Sequence, residues 1–214
     1  MPIYMSGNSL FIKYILVLRY FIVTNILLNI DLRDLSLFLE LKKYTFIKSE
    51  QLMKITDYVF LVGSGHIGLS HSLDCSVYLI DGGTELALID SGAGLEIEKI
   101  FSNIKKHGFN LNDIKKVILT HAHADHAGGC KTMKKILDCN IFVPEAEVNL
   151  LEGGSEERVG INIAKNSGIY PPDYLFPYIA SDVAVSNGNH IQVGKFQIEA
   201  IHVPDIVRDQ LAIF

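Results

Sequence analysis

The chain has 214 residues, 49% hydrophobic and 20% charged, with a net charge of -5. This is enough apolar material for a real core and too much for a disordered chain. The acidic balance, with no long lysine or arginine cluster, argues against a nucleic-acid partner. Cys75, Cys130 and Cys139 form neither an even set nor a CxxC pair, so they point away from a disulfide framework and toward a reducing, cytoplasmic setting, each read as a small buried hydrophobe.

Residues 1–52 read as an extension of helical character. Leu10 to Ile30 is dense in apolar residues, but Lys13 and Arg19 interrupt it, each costing about 2.5 to 3.5 kcal/mol at the centre of a membrane. A membrane anchor through residues 10–30 is therefore the less favoured alternative to a packed helix or a start assigned upstream of the native one. Met53 opens MKITDYVFLVGSG, which reads as the first strand of a domain over 53–214.

From there the punctuation is regular. Strands are expected at Lys54 to Val62, Cys75 to Ile80 and Glu85 to Ile89, the last two joined at Asp81-Gly82-Gly83 as a hairpin. The loop between the first two, GSGHIGLSHS, carries His66 and His71 as candidate substrate contacts; a strand follows it, so its glycines do not make a dinucleotide site. A helix is expected from Leu95 to His107, closed by Gly108, then a buried strand at Lys116 to Thr120. Next come a helix from about Ala127 to Leu137, a strand at Asn140 to Val143 and polar helical segments through Ser167. Beyond the tyrosine and proline cluster at Tyr170 to Tyr178, strands are expected at Val183 to Ser186, His190 to Val193 and Lys195 to Val203. The order predicts an α/β arrangement of sheets packed with outer helices.

Between the fourth strand and the next helix stands THAHADHAGG, placing His121, His123, Asp125 and His126 within six positions. If the chain stays extended after the strand, His121 and His123 point to one side and can approach one metal ion. Asp125 and His126 fall where the chain turns and can face a second ion, at the spacing of two-metal hydrolases. Imidazole and carboxylate without thiolate suit zinc, with iron or manganese as alternatives. Asp125 is the candidate catalytic residue, placed to hold a nucleophilic water while ligating the second ion.

These residues resemble the metallo-β-lactamase superfamily of metallohydrolases, whose second motif is H-x-H-x-D-H. The resemblance implies His121 and His123 at one metal, Asp125 and His126 at the other, and Asp90 of LIDSGAG as the aspartate that supports the metal loop by hydrogen bonding. It implies an αββα sandwich with the metals at one edge between two sheets. It also implies a hydrolase attacking a thioester, lactone or similar ester with a metal-bound hydroxide, closest to the small glyoxalase II-like and lactonase-like members. Members of the family continue from a strand like FQIEAIHVP with P-G-H-T/S-x-G, whereas here Pro204 is followed by Asp205, Ile206, Val207 and Arg208. The expectation is therefore an incomplete second half after about residue 204, in which each metal site keeps two of its protein ligands and the strand Lys195 to Val203 keeps an unpaired edge. The alternative reading of the function is a non-catalytic truncated remnant, or a half-site partner of another chain. The sequence leaves the substrate and the oligomeric state open.

Overall fold

In the computed structural model, the residues described are 54–153, 156–203 and, as backbone alone, 211–213. A six-stranded sheet runs in the order β1 (Val59–Gly63), β2 (Val77–Asp81), β3 (Leu86–Ile89), β4 (Ile114–Ile118), β5 (Asn140–Pro144), β6 (Val183–Val185). The first three strands are antiparallel neighbours, and β3 to β6 are parallel. A second sheet of three antiparallel strands contains β7 (His190–Val193), β8 (Phe196–His202) and β9 (Leu211–Ile213).

The period-two pleat decides which face each side chain occupies. Leu86, Leu88, Val117, Ile141 and Val143 enter the main core, together with the helices α1 (Ile97–Lys106), α2 (Ala124–Ala127) and α3 (Cys130–Leu137). Their neighbours Ala87, Ile118 and Phe142 face the other way and pack with Ile191, Val193, Ile198 and Ala200 of the second sheet. The layers are thus helix, sheet, sheet, as the mixed α/β reading anticipates. One end of the stack is stitched: Glu85 accepts from both Lys116 Nζ at 2.7 Å and the Gly194 amide at 2.9 Å, while the Lys195 amide donates to the Gly82 carbonyl at 2.9 Å.

Three local expectations need correction. The first strand does not begin at Lys54: Thr56 Oγ1 accepts from the amides of Tyr58 and Val59 at 3.2 and 3.1 Å, a side-chain turn that delays β1 to Val59. The helix expected from Ala127 is two pieces, α2 and α3, separated at Gly128 and Gly129. The outer edge of β8 is not left wholly unpaired, because β9 pairs with its last three residues, Ala200 with Ile213, Ile201 with Ala212 and His202 with Leu211. Among the described residues no helix is long and apolar enough to cross a membrane; the run at residues 10–30 lies outside them.

The strand directions bring one set of loops together. The segments after β1, β3, β4 and β5, and the residues that precede the antiparallel β2, all lie at the same edge of the large sheet. The carboxyl ends of parallel strands are where α/β sheets build their sites. Here that edge collects Asp74 and Cys75 before β2, Asp90 after β3, the histidine loop after β4 and Glu147 after β5.

Candidate metal centre

The β4 ladder ends at Ile118 because the Thr120 amide leaves it and donates to Asp90 Oδ1 at 2.8 Å. Asp90 itself turns sharply, with φ of 61°, a left-handed conformation that aspartate enters at lower cost than most residues. His123 is extended, with φ -66° and ψ 151°, and is the N-cap of α2. Gly128 and Gly129 close the corner against the backbone carbonyls of Ala93 and Ser91, where any Cβ would collide. Ser91 strengthens the same junction, its Oγ donating to the His126 carbonyl at 2.8 Å.

Three imidazoles gather in the loop. The rings of His121 and His126 lie 4.0 Å apart between centroids, and those of His121 and His123 lie 4.7 Å apart. His126 Nε2 stands 3.3 Å from Asp125 Oδ2, and His126 Nδ1 stands 2.8 Å from Asp90 Oδ2. All four motif residues therefore belong to one cluster, with Asp90 behind it.

Asp90 also sets the tautomers. A carboxylate only accepts, so Thr120 Oγ1, at 2.9 and 3.0 Å from its oxygens, must donate its one hydrogen to Asp90. That leaves Thr120 Oγ1 to accept Nδ1–H of His121 at 3.0 Å, while His126 donates its own Nδ1–H to Asp90. In both rings Nε2 is then the nitrogen left to bind an ion. This is the outer-shell arrangement that orients metal-ligating histidines.

The electrostatics separate the two rings. Burial, helped by the neighbouring His126, pushes His121 down to about 4, so it is neutral and ready to ligate at pH 7. Burial also works against a charged His126, but the Asp90 charge and the hydrogen bonds to Asp125 and Asp90 outweigh it and hold that ring well above the usual imidazole range. Asp125 shows the reciprocal effect: burial raises it, yet the His126 hydrogen bond and charge bring it below the usual carboxylate value. Without an ion, a proton shared between Asp125 and His126 occupies the place an ion would take.

Among the described residues, Cys75, Asp90 and His126 form a set whose ligand atoms lie within 4.8 Å of one another. They suit a supporting role better than a metal cage. Both Asp90 oxygens are already engaged by Thr120 and His126, and burial pushes the Cys75 thiol up to about 11, so it stays protonated. The donor set that fits a divalent ion is the outward one: Nε2 of His121, Nε2 of His126 once its proton is displaced, and the ionised carboxylate of Asp125, whose side chain is 44% exposed.

His66 and His71 are not part of this cluster. His66 is exposed, and His71 Nδ1 accepts the Leu73 amide at 3.2 Å, a contact inside its own loop. The sequence reading missed Thr120 as a relay, Cys75 as a neighbour of His126, and Asp74. The Asp74 carboxylate takes the Ala93 amide at 2.8 Å and the His71 amide at 3.0 Å, joining the two loops that flank the site. It also missed Glu147, a buried carboxylate behind Ala122. All three of the last residues act across long sequence separations, so no local spacing flags them.

Imidazoles and a carboxylate clustered at the carboxyl ends of parallel strands are donor types that divalent-metal sites use, at the place where α/β sheets build sites. Residues 72–205 match the model of the metallo-beta-lactamase superfamily, and the chain belongs to that family. A subclass B3 metallo-beta-lactamase of Bradyrhizobium japonicum is 28% identical, with a TM-score of 0.60 over 75% of this chain and 54% of that one. The native FEZ-1 metallo-beta-lactamase of Legionella gormanii is 25% identical, with a TM-score of 0.61 over 75% of this chain and 56% of that one. An uncharacterized protein of Aquifex aeolicus is 26% identical over 134 residues, 62% of this chain and 55% of its own length. The chain thus spans about half the length of the relatives it matches.

Proposed function

We propose that this chain carries a hydrolase site of the metallo-beta-lactamase type, in which His121, His123, Asp125 and His126 hold divalent metal, zinc by the chemistry of the donors. The observation that carries the reading is the convergence of three imidazole rings, 4.0 and 4.7 Å apart, beside a carboxylate 3.3 Å from His126 Nε2. A bound divalent ion supplies Lewis acidity and brings the pKa of a coordinated water to about 7.

The protein's own groups do the rest. His121 and His126 present Nε2 because Thr120 and Asp90 hold their Nδ1 hydrogens. Asp125 keeps an ionised oxygen at the open side of the cluster, where it orients the attacking water and takes its proton as general base. The bond cleaved is proposed to be that of an activated acyl group, a thioester, lactone or similar ester. Likeness to subclass B3 enzymes favours a second substrate class, the strained cyclic amide of a β-lactam.

Zinc-loaded full-length chain assayed against a thioester, a lactone and a chromogenic β-lactam tests this directly. The proposal expects turnover of at least one, abolished by chelator and reduced about a hundredfold or more by Asp125→Ala. Hydrolysis that survives both treatments would overturn it.

A further inference from the structure

We infer that Glu147 is a positioning residue of the metal loop: by accepting the amide of Ala122 it fixes the peptide between His121 and His123 and so sets the spacing of their rings. The inference rests on the metal reading above and names a residue that the H-x-H-x-D-H motif does not contain.

Glu147 closes the 3-10 turn Glu145–Glu147 that follows β5 and leads into α4 (Val148–Gly153). Because β4 and β5 are parallel neighbours, this turn emerges beside the histidine loop. Its neighbours Glu145 and Val148 are not fully buried, but Glu147 is only 3% exposed, and a carboxylate is costly to bury without a compensating bond. Its Oε2 accepts the Ala122 amide at 3.0 Å, and Ala122 has no exposed surface.

The geometry explains why this amide matters. Ala122 is the single residue between the two histidines, so its peptide plane governs the turn from one ring to the next. That plane has no β partner, since the ladder of β4 has already ended at Ile118. Asp90 and Thr120 hold the loop from the His121 and His126 side, at Nδ1. Glu147 holds the peptide that joins His121 to Ala122, the step in the chain that leads on to His123, and does so from a turn 25 residues away. A hydrogen bond to a buried side-chain oxygen is shielded from competing water, which suits it to hold a loop that has no ladder.

The test uses the full chain, first without metal. Amide hydrogen exchange at Ala122, compared with Val117 and Ile118 in β4, is read by NMR alongside the ring-to-ring contact between His121 and His123. In Glu147→Ala and in the shorter Glu147→Asp, Ala122 exchange should accelerate by about tenfold or more, the loss of one buried hydrogen bond, and the ring contact should weaken while the β4 amides keep their protection. Glu147→Gln retains an acceptor at the same reach and should stay near the parent. If Glu147→Ala does not fold, the Asp and Gln pair decides the matter. An unchanged Ala122 and ring contact in the Asp variant would overturn the inference, and so would an equal loss of protection in β4, which would make Glu147 merely structural. Zinc competition with a chelator should then show affinity lowered about tenfold in the Ala and Asp variants and retained in Gln. A parent chain that takes up no zinc would count against the proposed function, while the metal-free readouts still decide the role of Glu147.

Discussion

His121 and His126 sit with rings 4.0 Å apart and yet titrate in opposite directions, which makes their protonation the most sensitive property of the site. His121 is pushed down to about 4 from an ordinary value of 6.5. Its folded pKa is depressed, so its contribution to stability is present above about 6.5 and is lost as pH falls from there to about 4. In that window His126 is protonated in both the folded and the unfolded chain and adds no slope, since its folded value is raised. His121 alone should therefore cost metal-free protein about 3 kcal/mol between pH 6.5 and 4 in denaturant titrations, and His121→Asn should remove that share of the acid slope. Above pH 6.5 the raised His126 gives the opposite trend, with stability declining as pH rises. The same acid slope in the parent and in His121→Asn would contradict the buried neutral His121.

Asp90 is the other residue with a large expected effect. It accepts from the Thr120 amide, Thr120 Oγ1 and His126 Nδ1, all in a buried setting. Asp90→Ala strands these donors and should lower unfolding free energy by about 3 kcal/mol or more. Asp90→Asn keeps the shape but can place a donor where His126 donates, so it should disturb the site more than the fold. The comparison is made by chemical denaturation and by NMR of the two histidine rings.

At the level of elements, the site depends on a strand that stops and a helix that starts twice. The H-x-H-x-D-H spacing was legible in sequence because its four candidate ligands are neighbours along the chain. The end of β4 was not, because Thr120 leaves the ladder for Asp90, 30 residues away in sequence. The division of α2 from α3 was likewise hidden, since it comes from the fit of Gly128 and Gly129 against Ala93 and Ser91 on a different loop. Gly129→Ala places a methyl group against the Ser91 carbonyl and should cost about 3 kcal/mol, overpacking at the firm end of the usual range, with the loss read as a lower melting temperature. An unchanged melting temperature would mean that the corner between the loops relaxes freely.

At the scale of the whole molecule, the same alternation that sorts Leu86 and Leu88 from Ala87 builds two cores, one under the helices and one between the sheets. That layering was readable from the order and pattern of strands. The pairing of β8 with β9 was not, because Leu211 to Ile213 reads as a short apolar run and only its neighbours in space make it a strand. Nor was the convergence of Asp74, Cys75 and Glu147 on the edge that holds Asp90, which follows from strand directions that no local pattern encodes. The fold thus explains how residues scattered from 74 to 147 serve a motif of six.

Zinc uptake by the purified full-length chain, measured after equilibrium dialysis, tests the claim that this edge is a metal centre. The account predicts zinc retained by the parent and by His66→Ala, and lost in His121→Ala and in His126→Ala. A parent chain that retains no zinc, or the same retention in all four proteins, would contradict it.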